Sequence, residues 1–253
     1  MYCRADAAII ANDSAFLNTL SNGLGAVEVL ADGRLTLRQL ADALGLPRQT
    51  AYRIVHTMDL LGWLERRQSD DTYGLTTRLW GIGVRSHEAT DLREIWAETV
   101  NRLGDQTGET VHLAVYDQGF SVYIGKHDGW HPIRSYTKLG GRSPAYCVAT
   151  GKVLLAARPA EEITRLIHGD LTKFTATTMT EPSELRDELA KIRNEGHAVN
   201  SGEYRAEVGG IAVPIRSPLG DVIAAIGFSG PLERIQNKFA ELLEALKKAT
   251  STR

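Results

Sequence analysis

Apolar residues recur at helical spacing at Leu37, Leu40, Ala41 and Leu44, and again at Ala51, Ile54, Val55, Met58 and Leu61. Thr36 stands where an N-cap is needed, and Gln39 follows three residues later as its capping-box partner. Gly45 ends the first helix, since glycine takes the left-handed conformation of a C-terminal cap without steric cost. Pro47 opens the second helix, where its missing N–H costs nothing. Residues 36–62 are therefore predicted to form two short helices joined by a tight turn. The second helix keeps Arg48, Gln49, Tyr52, Arg53 and His56 on the side away from its apolar stripe. A face of Arg, Gln and Tyr on the second helix of such a pair suits the base edges and phosphates of a DNA major groove. Thr36 and Thr50 complete the candidate DNA-contacting set. The competing reading is an ordinary helical hairpin packed on a larger fold, with its arginines merely solvated.

The segments Trp63–Gln68 and Thr72–Thr76 alternate around Ser69-Asp70-Asp71, which predicts two short strands. A hairpin directly after a recognition helix makes a wing, placing Arg66 and Arg67 beside phosphates or the minor groove. Residues 77–91 predict a glycine-softened linker helix, and Asp91 an N-cap for an amphipathic helix from Leu92 to Thr107. From Val111 the period becomes that of strands. Residues 111–117 and 120–127 flank the turn Gln118-Gly119, and Pro132 to Lys138 reads as a third strand before a helix at 146–157. Helices at 159–168 and 181–195 precede strands at 197–202, 210–216 and 222–229, and a last helix spans 235–249. Hairpins clustered with helices on one side predict an antiparallel sheet in an α+β domain.

Composition narrows the function classes. A chain of 253 residues that is 43% apolar can hold two domains with real cores. No apolar run reaches the ~18 residues of a membrane span, and the first residues lack the pattern of a signal peptide. Cys3 and Cys147 are the only cysteines, which speaks against a disulfide framework and fits a reducing cytoplasm. The formal net charge is −2, yet residues 34–67 carry six arginines against Asp42, Asp59 and Glu65, a net of +3. Any DNA footprint is thus local, and a module of that charge binds weakly alone. A dimer meeting two half-sites is the expected remedy.

Enzyme motifs fail on inspection. Ala149-Thr150-Gly151-Lys152 ends like a phosphate loop, but Tyr146 stands where a glycine is needed and Val153 where Ser or Thr is needed. What remains is a helix start rich in free N–H groups, which suits a carboxylate. The histidines lack zinc-ligand spacing, two cysteines cannot close a zinc site, and Ser143, Ser201 and Ser229 lack a nucleophile-elbow context. No catalytic residue, metal or cofactor is expected.

Over residues 14–250 the chain resembles the IclR family of bacterial transcriptional regulators. The resemblance is carried by GLPRQTAYRIVHTMDLLGWLER, LGGRSPAYCVATGKVLLA, EYRAEVGGIAVPI and AAIGFSGP in that order. It implies a two-domain α+β protein: an N-terminal winged helix-turn-helix and a C-terminal GAF/PAS-like antiparallel sheet with flanking helices. The implied plan is a loose extension over 1–13, a DNA-binding domain over 14–76, a linker over 77–91 and an effector-binding domain over 92–253. It further implies dimers that assemble into tetramers on double-stranded operator DNA, controlled by a small, usually anionic metabolite. Matched motif by motif, the effector residues are Ala149, Thr150, Asn200, Gly210, Gly227 and Ser229.

The chain departs from the family where Asn200 replaces a common Asp, Gly210 a common Cys and Glu207 a common Gly. Loss of a carboxylate and of side-chain volume favours a larger or more acidic effector than a pyruvate-sized acid, and Glu207 leaves the local backbone open. Trp130, Tyr136 and Tyr146, with His131 or Arg134, are candidate walls for an aromatic carboxylic acid such as a hydroxybenzoate. Two other classes stay open: an enzyme acting on a small carboxylic acid with an accessory winged domain, and a winged module that binds protein. The sequence leaves repression or activation undecided.

Overall fold

The structure is a computed structural model that describes residues 16–86, 89–135, 137–169 and 171–251, without the side chains of residues 84–86 and 89–91. The expected extension over 1–13, Cys3, Tyr136 and the Asp91 side chain lie outside the described residues. The chain divides into two compact units between residues 87 and 88.

The first unit begins with α1 (Asn18–Ala31), a helix not among the elements expected from the sequence, and β1 (Leu35–Thr36). Helix α2 (Leu37–Leu44) starts at the expected capping box and ends at Gly45 with φ 63° and ψ 32°. Helix α3 (Arg48–Leu60) follows with Pro47 as its N-cap. Ala26, Leu30, Leu40, Ile54, Val55 and Leu64 form the core, and Met58 packs half-buried against it. Leu61, expected in that core, is 57% exposed. The reason is local: α3 stops one residue earlier, and Gly62 at φ 73° turns the chain away before another apolar position can face inward.

Strands β2 (Leu64–Arg67) and β3 (Thr72–Leu75) form the wing, and β1 joins them in the order β1-β3-β2. Arg34 ties this sheet together. Its guanidinium lies 2.7 Å from Glu65 and donates to the carbonyls of Glu65 and Thr72. Gly74 makes room for it, since a Cβ there would sit 2.6 Å from Arg34 Nη1. Helix α4 (Arg78–Ser86) closes the unit, with the Arg78 guanidinium 4.6 Å from the Trp63 ring centre.

The second unit opens with α5 (Ala89–Thr107), so Asp91 lies inside the helix and does not cap its start. Strands β4 (Thr110–Asp117), β5 (Phe120–His127) and β6 (Arg142–Pro144) precede a short 3-10 turn at Ala145–Cys147. Helices α6 (Ala149–Ala156), α7 (Ala160–Ile167) and α8 (Pro182–Glu195) come next. Strands β7 (Ala198–Ser201), β8 (Val208–Arg216) and β9 (Val222–Pro231) complete a six-stranded antiparallel sheet, ordered β6-β5-β4-β9-β8-β7. The expected single last helix is two, α9 (Leu232–Asn237) and α10 (Phe239–Ser251), interrupted at Lys238.

Two other expectations fail for physical reasons. Residues 132–138 form no strand among the described residues. Pro132 has no N–H to give a ladder, and the segment is held by side chains instead: Lys126 donates to the Thr137 carbonyl and His112 bonds the Thr137 hydroxyl. The edge strand is β6, paired to β5 through Phe120↔Pro144 and Ser121↔Ser143. Helices also cover both faces of the sheet, not one. Strands β8 and β9 are apolar at nearly every position, so both faces need cover. Leu113, Ile211 and Ile226 pack with α5 and α10, whereas Ala114, Ala212 and Ala225 pack with α6, α7 and α8. Alanine on the second face lets α6 lie close against the strands.

Lys152, in the middle of α6, is fully buried. Its ammonium group sits 2.9 Å from Glu188 on α8 and 2.8 Å from Glu203 in the loop after β7. Lys152→Met leaves both carboxylates without their cation, one of them almost wholly buried. The expected loss is about 3–5 kcal/mol of unfolding free energy, measured by urea denaturation. A loss near zero would show that this ion pair is not what fixes α6.

Candidate DNA-contacting and effector-binding sites

Helix α3 carries the residues expected to meet DNA on its surface. Arg48, Gln49, Tyr52, Arg53 and His56 are exposed, and Thr50 is half-buried. The Tyr52 and His56 rings stack with centroids 5.7 Å apart, which stiffens one stripe of this face. Arg48 and Arg53 make no ion pair among the described residues. Thr36 stands apart in role: its hydroxyl is engaged with the Gln39 side chain and backbone in the capping box.

The wing arginines are not free. Arg66 lies 2.7 Å from Asp71 and Arg67 2.5 Å from Asp70. Each pair raises its guanidinium pKa, and the Arg67 guanidinium with the Thr72 hydroxyl holds the Asp70 carboxyl well below the usual carboxylate range. Extending the charge count through the wing turn, six arginines now face five acids over residues 34–71, a net of only +1. The wing therefore neutralises its own cations.

The second unit holds a cavity of about 390 Å³ at the start of α6. Five of the six expected effector residues line it: Ala149, Thr150, Asn200, Gly210 and Ser229. Val148 gives α6 no side-chain cap, so the first-turn N–H groups of α6 have no side-chain acceptor there. The Thr150 hydroxyl bonds Ser121 at 2.9 Å. Asn200 is engaged locally, accepting from the Glu203 N–H at 2.9 Å. Gly210 keeps one wall at backbone level, with the Phe228 carbonyl 3.2 Å from where its Cβ would stand. Gly227 does not line the cavity. It is a close-packing position opposite His112, where a Cβ would come within 2.5 Å of the Ile211 carbonyl. Glu207 does line the cavity and takes no positive φ; in its loop that conformation falls on Gly202 instead.

The expected aromatic walls are misplaced. Trp130 is 65% exposed and stacks on His131, which approaches Glu109 at 3.7 Å, and neither lines the cavity. Tyr146 is buried elsewhere, donating to the Thr172 carbonyl. Of the described residues in that group, only Arg134 borders the cavity. The rings that do line it are His112, Tyr123 and Tyr204, while the Phe228 ring belongs to the core on the other face of the sheet. His112 and Tyr123 stand 4.5 Å apart between centroids. Strand alternation was the cue for them: His112, Ala114 and Tyr123 fall on the face that α6 covers. Arg134, Lys138, Arg142 and Arg205 line the cavity with Glu207 as the one lining acid. Arg134 and Arg142 also meet carboxylates outside the lining, Asp128 at 3.9 Å and Asp117 at 3.4 Å, so the cationic bias is modest.

Burial, reinforced by the nearby Lys126 charge, pushes the His112 imidazole down to about 3, so it is neutral in the folded protein. Burial also raises the Cys147 thiol, which points its hydrogen at the Pro144 carbonyl and has no thiolate character. Among the described residues no group of His, Cys, Asp and Glu is placed to hold a metal, and no helix is long and apolar enough to cross a membrane.

A winged helix-turn-helix with a separate domain around a modestly cationic cavity defines a transcriptional regulator with DNA-binding and ligand-binding domains. The comparisons fix the family. Residues 19–68 match the IclR helix-turn-helix domain and residues 84–252 the bacterial transcriptional regulator IclR C-terminal domain. The HTH-type transcriptional regulator KdgR of Escherichia coli (strain K12) is 31% identical over 234 residues, covering 90% of this chain and 89% of that protein. The transcriptional repressor IclR of the same organism is 28% identical, covering 87% and 82%. Among solved structures, an IclR homolog from Microbacterium hydrocarbonoxydans complexed with 4-hydroxybenzoate superposes with a TM-score of 0.80 at 29% identity, covering 92% of this chain and 96% of that one. The chain belongs to the IclR family of bacterial transcriptional regulators.

Two outcomes are expected. Replacing Asp70 and Asp71 together by Asn releases Arg66 and Arg67, so DNA affinity should rise for any sequence and its salt dependence should steepen by up to about two phosphate contacts. Unchanged affinity in a titration at several salt concentrations would place both arginines away from the DNA. His112 gives a pH signature. Its folded-state pKa is depressed below the unfolded value of about 6.5, so the unfolded chain binds the proton first. Its share of stability is present above pH ~6.5 and lost by about 1.4 kcal/mol per unit as pH falls towards 3. The difference between wild type and His112→Gln in denaturation across pH 4 to 7 measures it, and parallel curves would refute a neutral buried imidazole.

Proposed function

We propose that this regulator binds operator DNA through residues 16–76 and that a small carboxylic acid, aromatic in character, sets its operator affinity from the cavity at the start of α6. The observation that carries the reading is that cavity: about 390 Å³, walled by His112, Tyr123 and Tyr204, and opening on the first turn of α6. It is bordered by Lys138 and Arg205 with Arg134 and Arg142, the last two shared with Asp128 and Asp117 outside it. A ring suits the aromatic wall, and a carboxylate suits the uncapped helix start with the excess of cations. The 4-hydroxybenzoate bound by the Microbacterium homolog supports the same ligand class. In this reading Thr150 and Ser229 supply hydroxyls and Ala149 a backbone N–H, while Asn200 and Gly210 shape the wall.

On the DNA side, Arg48, Gln49 and Tyr52 read base edges, Arg53 contacts phosphate, and Thr50 packs beside the backbone. Two modules are brought together by assembly into a homodimer or homotetramer. Leu17, Leu20 and Leu24, at or beside the start of α1, are 59–68% exposed and supply apolar surface for a second copy to cover. The regulated genes are those that degrade the acid, and the linker over 77–91 transmits the change. A coupling of about 1–3 kcal/mol changes operator affinity about 5–150-fold.

The test is a fluorescence-anisotropy titration with DNA from upstream of the gene, with and without 4-hydroxybenzoate and with pyruvate as the small-acid comparison. The expected result is tight, sequence-dependent binding that the aromatic acid shifts while leaving the reaction mixture chemically unchanged. Turnover of the acid would make the protein an enzyme, and binding that ignores both acids would overturn the effector class. In the same assay Arg48→Ala should cost about 1–3 kcal/mol on operator DNA and relax preference at one base pair. An equal loss on unrelated DNA would reassign Arg48 to a phosphate.

A further inference from the structure

The second unit carries another cleft, larger than the one at the start of α6. It measures about 810 Å³ and lies between the end of α6, α7, α8 and the β8–β9 hairpin. It shares no lining residue with the effector cavity. Helix α6 touches both: Ala149 and Thr150 face the first, Val153 and Ala156 the second.

Four arginines line this second cleft, Arg158, Arg186, Arg193 and Arg216, together with Asp187 and Asp221. None of the four forms an ion pair among the described residues, although arginine pairs with a carboxylate at Glu65, Asp70, Asp71, Asp117 and Glu109 elsewhere in the chain. Each is instead oriented by a neutral acceptor. Arg158 donates to the Val222 carbonyl, Arg193 to the Ala156 carbonyl at the end of α6, Arg216 to the Gly220 carbonyl and Arg186 to the Thr164 hydroxyl. A guanidinium has five N–H donors, so one such bond fixes its position and leaves most of the fork available. Arg158 is held further by the Tyr116 ring, 5.3 Å away, and its Nε is buried without a partner. The floor between them is apolar, built from Val153, Ile163, Leu189 and Val222.

We propose that this cleft is a second ligand site, for an organic dianion or trianion: a carbon skeleton on the apolar floor with carboxylates or a phosphate monoester held by the guanidinium forks. Planar, bidentate recognition of such groups is what arginine supplies and lysine does not. A monoanion leaves the cleft's excess charge only partly matched, so charge number sets the selectivity. Arg186 and Arg216, both exposed, are the recognition groups, while Arg158 and Arg193 are positioned by the end of α6 and the neighbouring hairpin.

The experiment is isothermal titration of the full chain at low salt with citrate, phenyl phosphate and acetate. Wild type should bind citrate, a trianion, or phenyl phosphate, a dianion, saturably and acetate at least tenfold more weakly. The double variant Arg186→Ser with Arg216→Ser, which removes two exposed side chains from the surface, should lose at least tenfold in affinity with an unchanged thermal midpoint. Thr150→Val, in the effector cavity, should leave this binding intact. Equal affinity in the double variant, equal affinity for acetate, or no saturation at millimolar concentration would each overturn the proposal. Binding lost in Thr150→Val alone would move the anion to the effector cavity, which separates failure of this inference from failure of the effector reading.

Discussion

The second unit is organised around a charge that has been taken out of water. Lys152 is fully buried, and an ammonium group in that position is tolerable only when carboxylates come with it. Its two partners come from different places, Glu188 on α8 and Glu203 in the loop after β7. Burial raises the Glu203 pKa, and the Lys152 charge opposes that shift. Once the trio forms, α6 cannot slide along the sheet, and the loop that carries Tyr204, Arg205 and Glu207 is drawn against it. Those three residues line the effector cavity. The same loop is held a second time through its backbone, by Asn200 on the Glu203 N–H and by Thr178 on the Glu203 carbonyl. The cavity wall is thus set by a buried electrostatic requirement together with the Asn200 and Thr178 bonds to the same loop.

How far the fold could be read from the chain depends on the range of the interactions involved. The helix pair over 36–62 is specified by neighbours three or four residues apart, and its cap, its glycine stop and most of its apolar stripe stand where the spacing puts them. Leu61 departs because Gly62 ends the turn early. In the second unit the strands were visible from their period, but their partners were not. Residues 132–138 look extended, yet the Thr137 carbonyl is taken by Lys126, a side chain from β5 far back along the chain. No local pattern encodes that. The aromatic residues at Trp130 and Tyr146 failed for the same reason: a ring in a loop or on a short turn has no period to say which way it faces. His112 and Tyr123 lie on strands, where alternation does say so. The family motifs placed five of the six effector positions around one cavity, and Gly227 differs because glycine there serves strand packing.

Charge is distributed with a similar economy in the first unit. A wing whose arginines are each matched by an aspartate in its own turn adds little net attraction for a polyanion, so most of the field that DNA meets comes from α3. Long-range steering scales with net charge, while short-range hydrogen bonding depends on individual donors. With the wing self-neutralised, net attraction for a polyanion is low, and in the proposed reading discrimination rests on the exposed polar face of α3. A regulator gains from that balance, because a small change in how its modules are presented then decides between bound and free.

Helix α6 is short, eight residues, and it is the element that both clefts share. Its first turn closes the effector cavity and its last turn borders the arginine cleft, with Lys152 fixed between them. A helix of that length, pinned at its centre by an ion pair and packed on alanines, moves as a rigid body if it moves at all. In the proposed reading, a ligand that tilts the first turn about Lys152 shifts the last turn as well, and thermodynamic linkage makes any coupling that results equal in both directions. The buried lysine is therefore the fulcrum of the domain as well as its anchor.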